Sequence, residues 1–293
     1  MKKFYLLLIS SFCFLYSSFA QTLIDPVTGG GFDQGNTFAL NGWTVVNSSA
    51  NKWVVGSTTF NSSPNSAYVS SDGNVANYNY VNTTAHISHF YQKVAFPANA
   101  TNIILSFQLK GNVEFDWGNF IEQDGLQVYA DPSLVPPVAD VLPNISAIQI
   151  FQFNPSLTYT GQTQNLNGLA GQTVLLIFTW LNDGDGIGSG PPASVDDIKL
   201  TYCIANTNYT VTGGGGYCPG SPGANVGLSG SVVGINYQLY NNGIAEGSPV
   251  AGTGSAIDFG PQGVGGPYTV VGTSGACIHP MLGSVSVSEF PSP

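Results

Sequence analysis

The chain has 293 residues, 16 acidic against 6 basic side chains and a net charge of −10, with only 8% of residues charged. A surface this acidic repels phosphate backbones, which excludes nucleic acid as a partner. Aromatic residues make up 12% of the chain, so core material is ample; the scarcity of charge describes a folded protein kept soluble by Asn, Ser, Thr and Gln rather than a disordered one.

Residues 1–20 read as a secretory signal, with Lys2 and Lys3 as the positive start, a mostly apolar run from Phe4 to Tyr16, and the small-x-small site Ser18-Phe19-Ala20 before Gln21. The mature chain is therefore expected to be secreted or on the cell surface. The apolar run is shorter than the ~20 residues that span a bilayer and no later stretch replaces it, so no membrane insertion is expected. Removing the signal leaves Lys52, Lys93, Lys110 and Lys199 against sixteen acids, 4 − 16 = −12.

From Thr22 to Tyr202 short β-patterned runs alternate with Gly, Asn, Ser and Pro clusters: Trp43 to Val46, Trp53 to Val55, Ala67 to Ser70, Ser88 to Val94, Asn102 to Lys110, Gly125 to Ala130, Ala147 to Phe153, Gln172 to Leu181 and Ser194 to Tyr202. No stretch carries a 3.6-residue period, and many short strands separated by turn signals indicate an all-β sandwich or barrel. In Ile103 to Leu109 and Val174 to Trp180 apolar residues alternate or run together, as in central strands covered by a second sheet.

Two motifs bracket this region: Gly30-Gly31-Phe32-Asp33 with Gly42-Trp43, and Ser194-Val195-Asp196-Asp197-Ile198-Lys199-Leu200. They read as the entering and closing strands of one sandwich, whose acids can meet at a rim where carboxylates and turn carbonyls form an oxygen cage for Ca²⁺. Asp196 shares strand parity with Ile198 and Leu200, so its side chain is expected to point inward, where a carboxylate needs a cation or several donors. Asp33 is its expected partner in a structural calcium site; Asp196 as a plain acceptor of backbone N–H groups is the alternative.

A short polar gap, residues 204–208, separates a first domain at 21–203 from a Gly-rich second domain at 209–293. In the latter Tyr209 to Thr212, Ala224 to Leu228, Ile235 to Tyr240, Ala256 to Phe259, Tyr268 to Val271 and Ser284 to Ser288 are strand-like, and Asn241-Asn242-Gly243 suits a hairpin turn because Asn and Gly tolerate positive φ. The spacing predicts a smaller sandwich built like an immunoglobulin or fibronectin type III unit. Cys203, Cys218 and Cys277 follow the signal, so one is left over. A Cys218–Cys277 bridge within the second domain would close a loop of 277 − 218 = 59 residues and stabilise it by roughly 3 to 4 kcal/mol; Cys203–Cys218 is the other candidate.

On Gly31-Phe32-Asp33 with Gly42-Trp43, Ser63 to Gly73, Phe96-Pro97 leading into Leu105-Ser106-Phe107, Asp124 to Tyr129 and Val195 to Ile198, the first domain resembles the jelly-roll modules of secreted Bacteroidetes proteins of the choice-of-anchor or cleaved-adhesin type, related in plan to MAM domains and calcium-containing carbohydrate-binding modules. Asp33 stands where that family has Glu after Phe32. On Tyr209 to Gly215, Tyr217-Cys218, Gly234 to Tyr240, Gly266 to Val270 and Cys277, the second domain is similar to the Ig-like repeats of surface proteins in the same bacteria. The resemblance implies export by the type IX route and a non-catalytic role in cell adhesion, with an extracellular glycan or surface protein as partner. The alternative is the substrate-targeting region of a secreted hydrolase.

Other candidates read more simply as structure. Asn182-Asp183-Gly184-Asp185-Gly186 begins like a calcium loop but has Ile187 where a further oxygen ligand is needed, so a turn is expected. Glu114, Asp116, Glu122 and Asp124 around Trp117 and Phe120 invite comparison with a glycosidase, but acids on a loop before a strand are common. Trp117, Tyr78 and Tyr80 could stack on sugar rings if exposed, although sandwich aromatics are more often core. His86, His89 and His279 lie outside any nucleophile motif and are expected at the surface or rim.

Overall fold

A computed structural model describes residues 20–111, 114–116, 121–144, 146–152, 156–188, 190–204, 209–275 and 277–292. Residues 1–19 of the expected signal at 1–20, Trp117 and Phe120, and residues 205–208 of the expected linker lie outside them. The chain divides into two compact units, Gln21–Ala205 and Asn206–Pro293.

Among its described residues the first unit has twelve strands: β1 (Gln21–Ile24), β2 (Thr44–Val46), β3 (Lys52–Gly56), β4 (Ser66–Ser70), β5 (His86–Ala95), β6 (Ala100–Gly111), β7 (Glu114–Asp116), β8 (Ile121–Asp131), β9 (Ile148–Gln152), β10 (Ser156–Asn165), β11 (Thr173–Asn182) and β12 (Ser194–Ile204). They form two antiparallel sheets, A in the order β10-β6-β12-β4-β3 with β1 on β12, and B in the order β2-β5-β11-β8-β7 with β9 on β8. First and last strands pair directly, Gln21 opposite Tyr202 and Ile24 opposite Leu200.

Period-2 alternation decides what each sheet contributes to the core. Leu105, Phe107 and Leu109 of β6 face inward from sheet A, and Phe90, Leu126, Val128, Phe178 and Trp180 from sheet B, all at most 2% exposed. Phe90 is the hub. Its ring stacks on Phe178 at 4.8 Å and 5°, and meets Trp43 and Trp53 edge-on at 5.2 and 4.9 Å. Truncating such a buried aromatic costs about 3–5 kcal/mol.

Strand β11 is buried along nearly its whole length, so both of its faces are covered. The outer cover is the Pro-rich segment between β8 and β9, whose Val135, Val138, Val141 and Leu142 surround Ile177. His89 fastens it. Its Nε2 donates to the carbonyls of Val138 and Val141 at 3.1 and 3.0 Å, and Nδ1 accepts from the Thr179 hydroxyl at 3.0 Å. Burial holds its pKa below the ordinary imidazole value, so the ring is neutral. The expectation of rim histidines is thus corrected: His89 is fully buried, because a neutral ring with two satisfied nitrogens can be buried at little cost, and His279 is 7% exposed with its Nε2 unpartnered.

The second unit comprises β13 (Val211–Gly213), β14 (Gly215–Tyr217), β15 (Ala224–Leu228), β16 (Asn236–Asn241), β17 (Ile244–Ala251), β18 (Ile257–Gln262), β19 (Gly266–Ser274), β20 (Cys277–Pro280) and β21 (Val285–Glu289). A three-stranded sheet β13-β15-β18 and a six-stranded sheet β14-β21-β19-β16-β17, with β20 on β19, enclose a core of Val226, Leu228, Tyr237, Leu239, Tyr268 and Val270. Asn242 and Gly243 close the β16–β17 hairpin with φ of 50° and 81°, the double positive that a two-residue primed turn requires.

The cysteine assignment is corrected here. Cys203 and Cys277 are each disulfide-bonded, whereas Cys218 is free and exposed. Geometry rules out Cys218–Cys277. Tyr217 pairs with Glu289 on β21, and Val287 of β21 pairs with Gly266 at the start of β19, whereas Cys277 pairs with Ser274 at its end. Eight strand steps of about 3.3 Å separate those ends, far beyond the roughly 4.4–6.8 Å Cα separation of a disulfide.

Candidate binding face and its acidic corner

The acids of the two bracketing motifs meet where β1, β12 and the segment 57–65 converge. After β1 the chain turns through Gly30 and Gly31, and a Cβ on Gly30 would lie 1.8 Å from the Ile198 carbonyl oxygen, one on Gly31 2.1 Å from that of Pro26. Only glycine permits this approach between the entering and closing strands. Trp43 fixes the turn by donating from Nε1 to the Gly29 carbonyl at 3.0 Å.

Asp196 does not point inward. β12 pairs Asp196 with Gln108 and Lys199 with Ser106, with an irregularity between them, and Asp197 there adopts a φ of 49°. This bulge inserts one residue and resets the alternation. Val195, Ile198 and Leu200 face the core, while Asp196 and Lys199 share the outer face with Gln108 and Ser106.

Asp196 is nevertheless fully buried, because the segment 57–65 lies over it. Its Oδ2 accepts the backbone N–H groups of Asn61 and Ser62 at 2.7 and 3.0 Å, and Oδ1 accepts that of Asp197 at 2.8 Å. Burial still pushes its pKa up to about 7 against these donors. Asp197 accepts from the Asn61 amide and the Ser62 hydroxyl at 2.8 and 2.6 Å, and Asp33 Oδ1 from the Asn65 N–H at 3.1 Å. All three carboxylates therefore hold one loop. As calcium ligands they differ: the donors around Asp196 already direct three N–H groups at it, whereas Asp33 Oδ2 lies in the niche beside Gly31 and the Pro26 carbonyl. Among the described residues no group of three or more His, Cys, Asp or Glu side chains is arranged to hold a metal.

Beyond this corner the outer face of sheet A has two halves. Over β4 it is covered: Tyr68 donates to the Val75 carbonyl, and the ring of Tyr78 meets Tyr68 edge-on at 5.7 Å while its hydroxyl donates to Pro192 at 2.8 Å. Over β10, β6 and the adjoining part of β12 it is open, and Ser106, Gln108, Lys110, Tyr159, Thr163 and Lys199 are half-buried or exposed. Gly161 lies opposite Gln108, and a Cβ there would have only the Gln108 amide within 4 Å, so the surface has space at this position beside Tyr159. At the corner end Pro26, Val27, Asp33, Ser62, Ser106, Asp197 and Lys199 line a depression of about 410 Å³.

At the far end Tyr159 closes a hydroxyl network. Its OH bonds to Ser194 Oγ at 2.6 Å, Ser194 Oγ lies 3.0 Å from Ser66 Oγ, and Lys110 Nζ donates to Thr59 Oγ1 at 3.1 Å. The Lys110 ammonium sits 5.2 Å from the Tyr78 ring centre and 5.8 Å from that of Tyr159, an arrangement the ring quadrupoles favour. Burial raises the pKa of both phenols, which stay protonated donors.

Other sequence candidates take structural roles. Tyr80 donates to Asp124 Oδ2 at 2.7 Å and packs edge-on against Trp180 at 5.2 Å; the Asp183 N–H donates to Asp124 Oδ1 at 3.1 Å, and burial lifts Asp124 to about 6. The side chains of Glu114, Asp116 and Glu122 lie outside the described residues. Residues 182–186 form the expected turn: Gly184 and Gly186 are left-handed, and Asp183 and Asp185 accept N–H groups two residues on. Sequence reasoning missed β10 altogether, and with it Tyr159.

No protein-family model matches the chain, and no curated protein matches it. Among solved structures it is similar to TmCBM61, determined in complex with beta-1,4-galactotriose, at 14% identity and a TM-score of 0.33, covering 60% of this chain and 97% of that one. It is also similar to the glycoside hydrolase domain of Endo-D from Streptococcus pneumoniae R6, at 14% identity and TM-score 0.32, and to a Faecalibacterium prausnitzii beta-glucuronidase, at 11% and 0.26. Those matches cover 84% and 83% of this chain but only 36% and 44% of the enzymes. At these TM-scores the likenesses carry no weight for what the chain does.

Proposed function

We propose that the protein is an exported, non-catalytic glycan-binding module of the adhesin type, acting in attachment to cells, surfaces or polysaccharide. The observation that carries this reading is the open half of the outer face of sheet A. It is a polar strand surface with open space at Gly161, bordered by a tyrosine, amide and hydroxyl groups and two lysines. A sugar polymer needs such a surface: hydrogen-bonding groups at fixed spacing along rigid strands, beside an aromatic ring. The signal-like start, the low charge and the Asn, Ser and Thr-rich surface agree with a role outside the cell. Asp124, the described member of the acidic group near Trp117, has both oxygens engaged by Tyr80 and Asp183, which supports a structural rather than catalytic part.

A structural Ca²⁺ belongs to the same proposal, with Asp33 Oδ2 and the Pro26 carbonyl beside Gly31 as its ligands and Asp196 positioning the loop that closes over the corner. A hard, oxygen-only shell suits that ion.

A glycan array probed with the full chain tests the function. Binding to one or more polysaccharides supports it; retention on no glycan, together with adherence to protein-coated surfaces, transfers the reading to a protein partner.

A further inference from the structure

Lys110 is an anomaly of charge. Once the signal-like segment is set aside, four lysines face sixteen acids, so a carboxylate neighbour would be expected by composition alone. Yet among the described residues no lysine is paired with a carboxylate; the one close contact of that kind is Asp140 with the His86 imidazole, at 3.6 Å. The ammonium of Lys110 is instead held by neutral groups, the Thr59 hydroxyl and the faces of Tyr78 and Tyr159. Asp196 lies two pairs farther along β12, opposite Gln108, and its oxygens are turned to three backbone N–H groups. A half-buried cation fixed by a neutral acceptor and two ring faces is a preformed site for an anion, because the long side chain is already ordered and its charge is not cancelled.

The surroundings fit a polymer bearing that anion. The Tyr159 hydroxyl and the Gln108 amide flank the same position, and Gly161 leaves space beside them. Lys199 lies farther along the same face, opposite Ser106, four residues from Lys110 on β6, which is about 13 Å of strand. Asp33 and Asp197 share the Lys199 end, so the anion is selected at Lys110.

Resting on the glycan-binding reading above, we infer that the ligand is an acidic glycan, whose carboxylate or sulfate is taken by Lys110 with Tyr159 and Gln108 beside it on the outer face of sheet A. Affinity electrophoresis of the full chain through gels containing polygalacturonate, dextran sulfate, dextran or β-1,4-galactan tests this, with wild type, Lys110→Met and Lys110→Arg compared at matched melting temperature. The expected result is retardation by an acidic polymer, polygalacturonate if the anion is a carboxylate and dextran sulfate if it is a sulfate. Lys110→Met should weaken it on the order of tenfold, Lys110→Arg should largely restore it, and raising salt from about 0.05 to about 0.5 M should reduce it in wild type. Should Lys110→Met not fold, the salt response and the acidic-to-neutral preference of wild type decide alone. Retardation by a neutral polymer only, or equal retardation of wild type and Lys110→Met, overturns the acidic ligand while leaving the glycan-binding reading intact. No retardation in any gel overturns both.

Discussion

Asp196 and Asn61, 135 residues apart in the chain, are joined by a 2.7 Å hydrogen bond from the Asn61 backbone N–H to Oδ2. Through it the closing strand of the first unit holds the loop 57–65 over the acidic corner of sheet A. Asp196→Ala leaves the N–H groups of Asn61, Ser62 and Asp197 without their acceptor at a partly buried site, a loss of about 1 kcal/mol. Hydrogen exchange should rise across 57–65 while β5 and β11 stay protected; an unchanged exchange pattern would show that the loop does not depend on this carboxylate.

The same residue sets a pH dependence. Its pKa rises on folding from 3.8 to about 7, so between those values the folded state binds more protons than the unfolded one, and stability falls as pH rises. His89 acts in the opposite sense: its folded pKa is lowered, so it adds stability as pH rises through the range below its unfolded value of 6.5. Chemical denaturation of wild type and Asp196→Asn from about pH 4 to 7 separates the two. The variant should lose the Asp196 share of the downward component, that of Asp124 with its pKa raised to about 6 remaining, and gain stability relative to wild type towards pH 7; parallel profiles would remove Asp196 as a source.

The thiols give a chemical check on the second unit. Alkylation of the native protein should label Cys218 alone, and reduction should then add Cys203 and Cys277. Labelling of Cys203 or Cys277 before reduction contradicts the assignment.

On the proposed calcium site, an ion that binds only the folded corner should at about 100 times its dissociation constant add roughly 2.7 kcal/mol. EDTA should lower the melting temperature, and Asp33→Ala should abolish that response. Identical melting of wild type in EDTA and in excess Ca²⁺ removes the metal from the account.

The fold was legible in the sequence where core and turn chemistry coincide. Ile103 to Leu109 and Val174 to Trp180 announced β6 and β11, and Asn242-Gly243 announced a hairpin. The acids of the two bracketing motifs do gather at one corner. The direction of Asp196 was not legible, because alternation is counted from residue to residue and the bulge at Asp197 breaks the count. Strand β10 was missed for a related reason: Ser156–Asn165 is an edge strand whose residues are polar on both faces, so it lacks an apolar alternation, and only its Thr and Tyr content hints at β structure. That polarity is what leaves Tyr159 and Gly161 on an open surface, so the feature that hid the strand is the one that makes it a binding face. His89 was misjudged because nothing local tells that a Pro-rich segment fifty residues later will supply two carbonyls to a buried ring.

The central claim, that the open face of sheet A is where glycan binds, is tested most directly by titrating one array-identified glycan into Tyr159→Ala and Tyr91→Ala by calorimetry. Tyr159 lies on that face, whereas Tyr91 is on the outer face of sheet B, paired with Ile177. The account predicts on the order of tenfold weaker binding for Tyr159→Ala, from a lost ring contact, and wild-type affinity for Tyr91→Ala. Full affinity in Tyr159→Ala together with loss in Tyr91→Ala would place the ligand on the other sheet and contradict it.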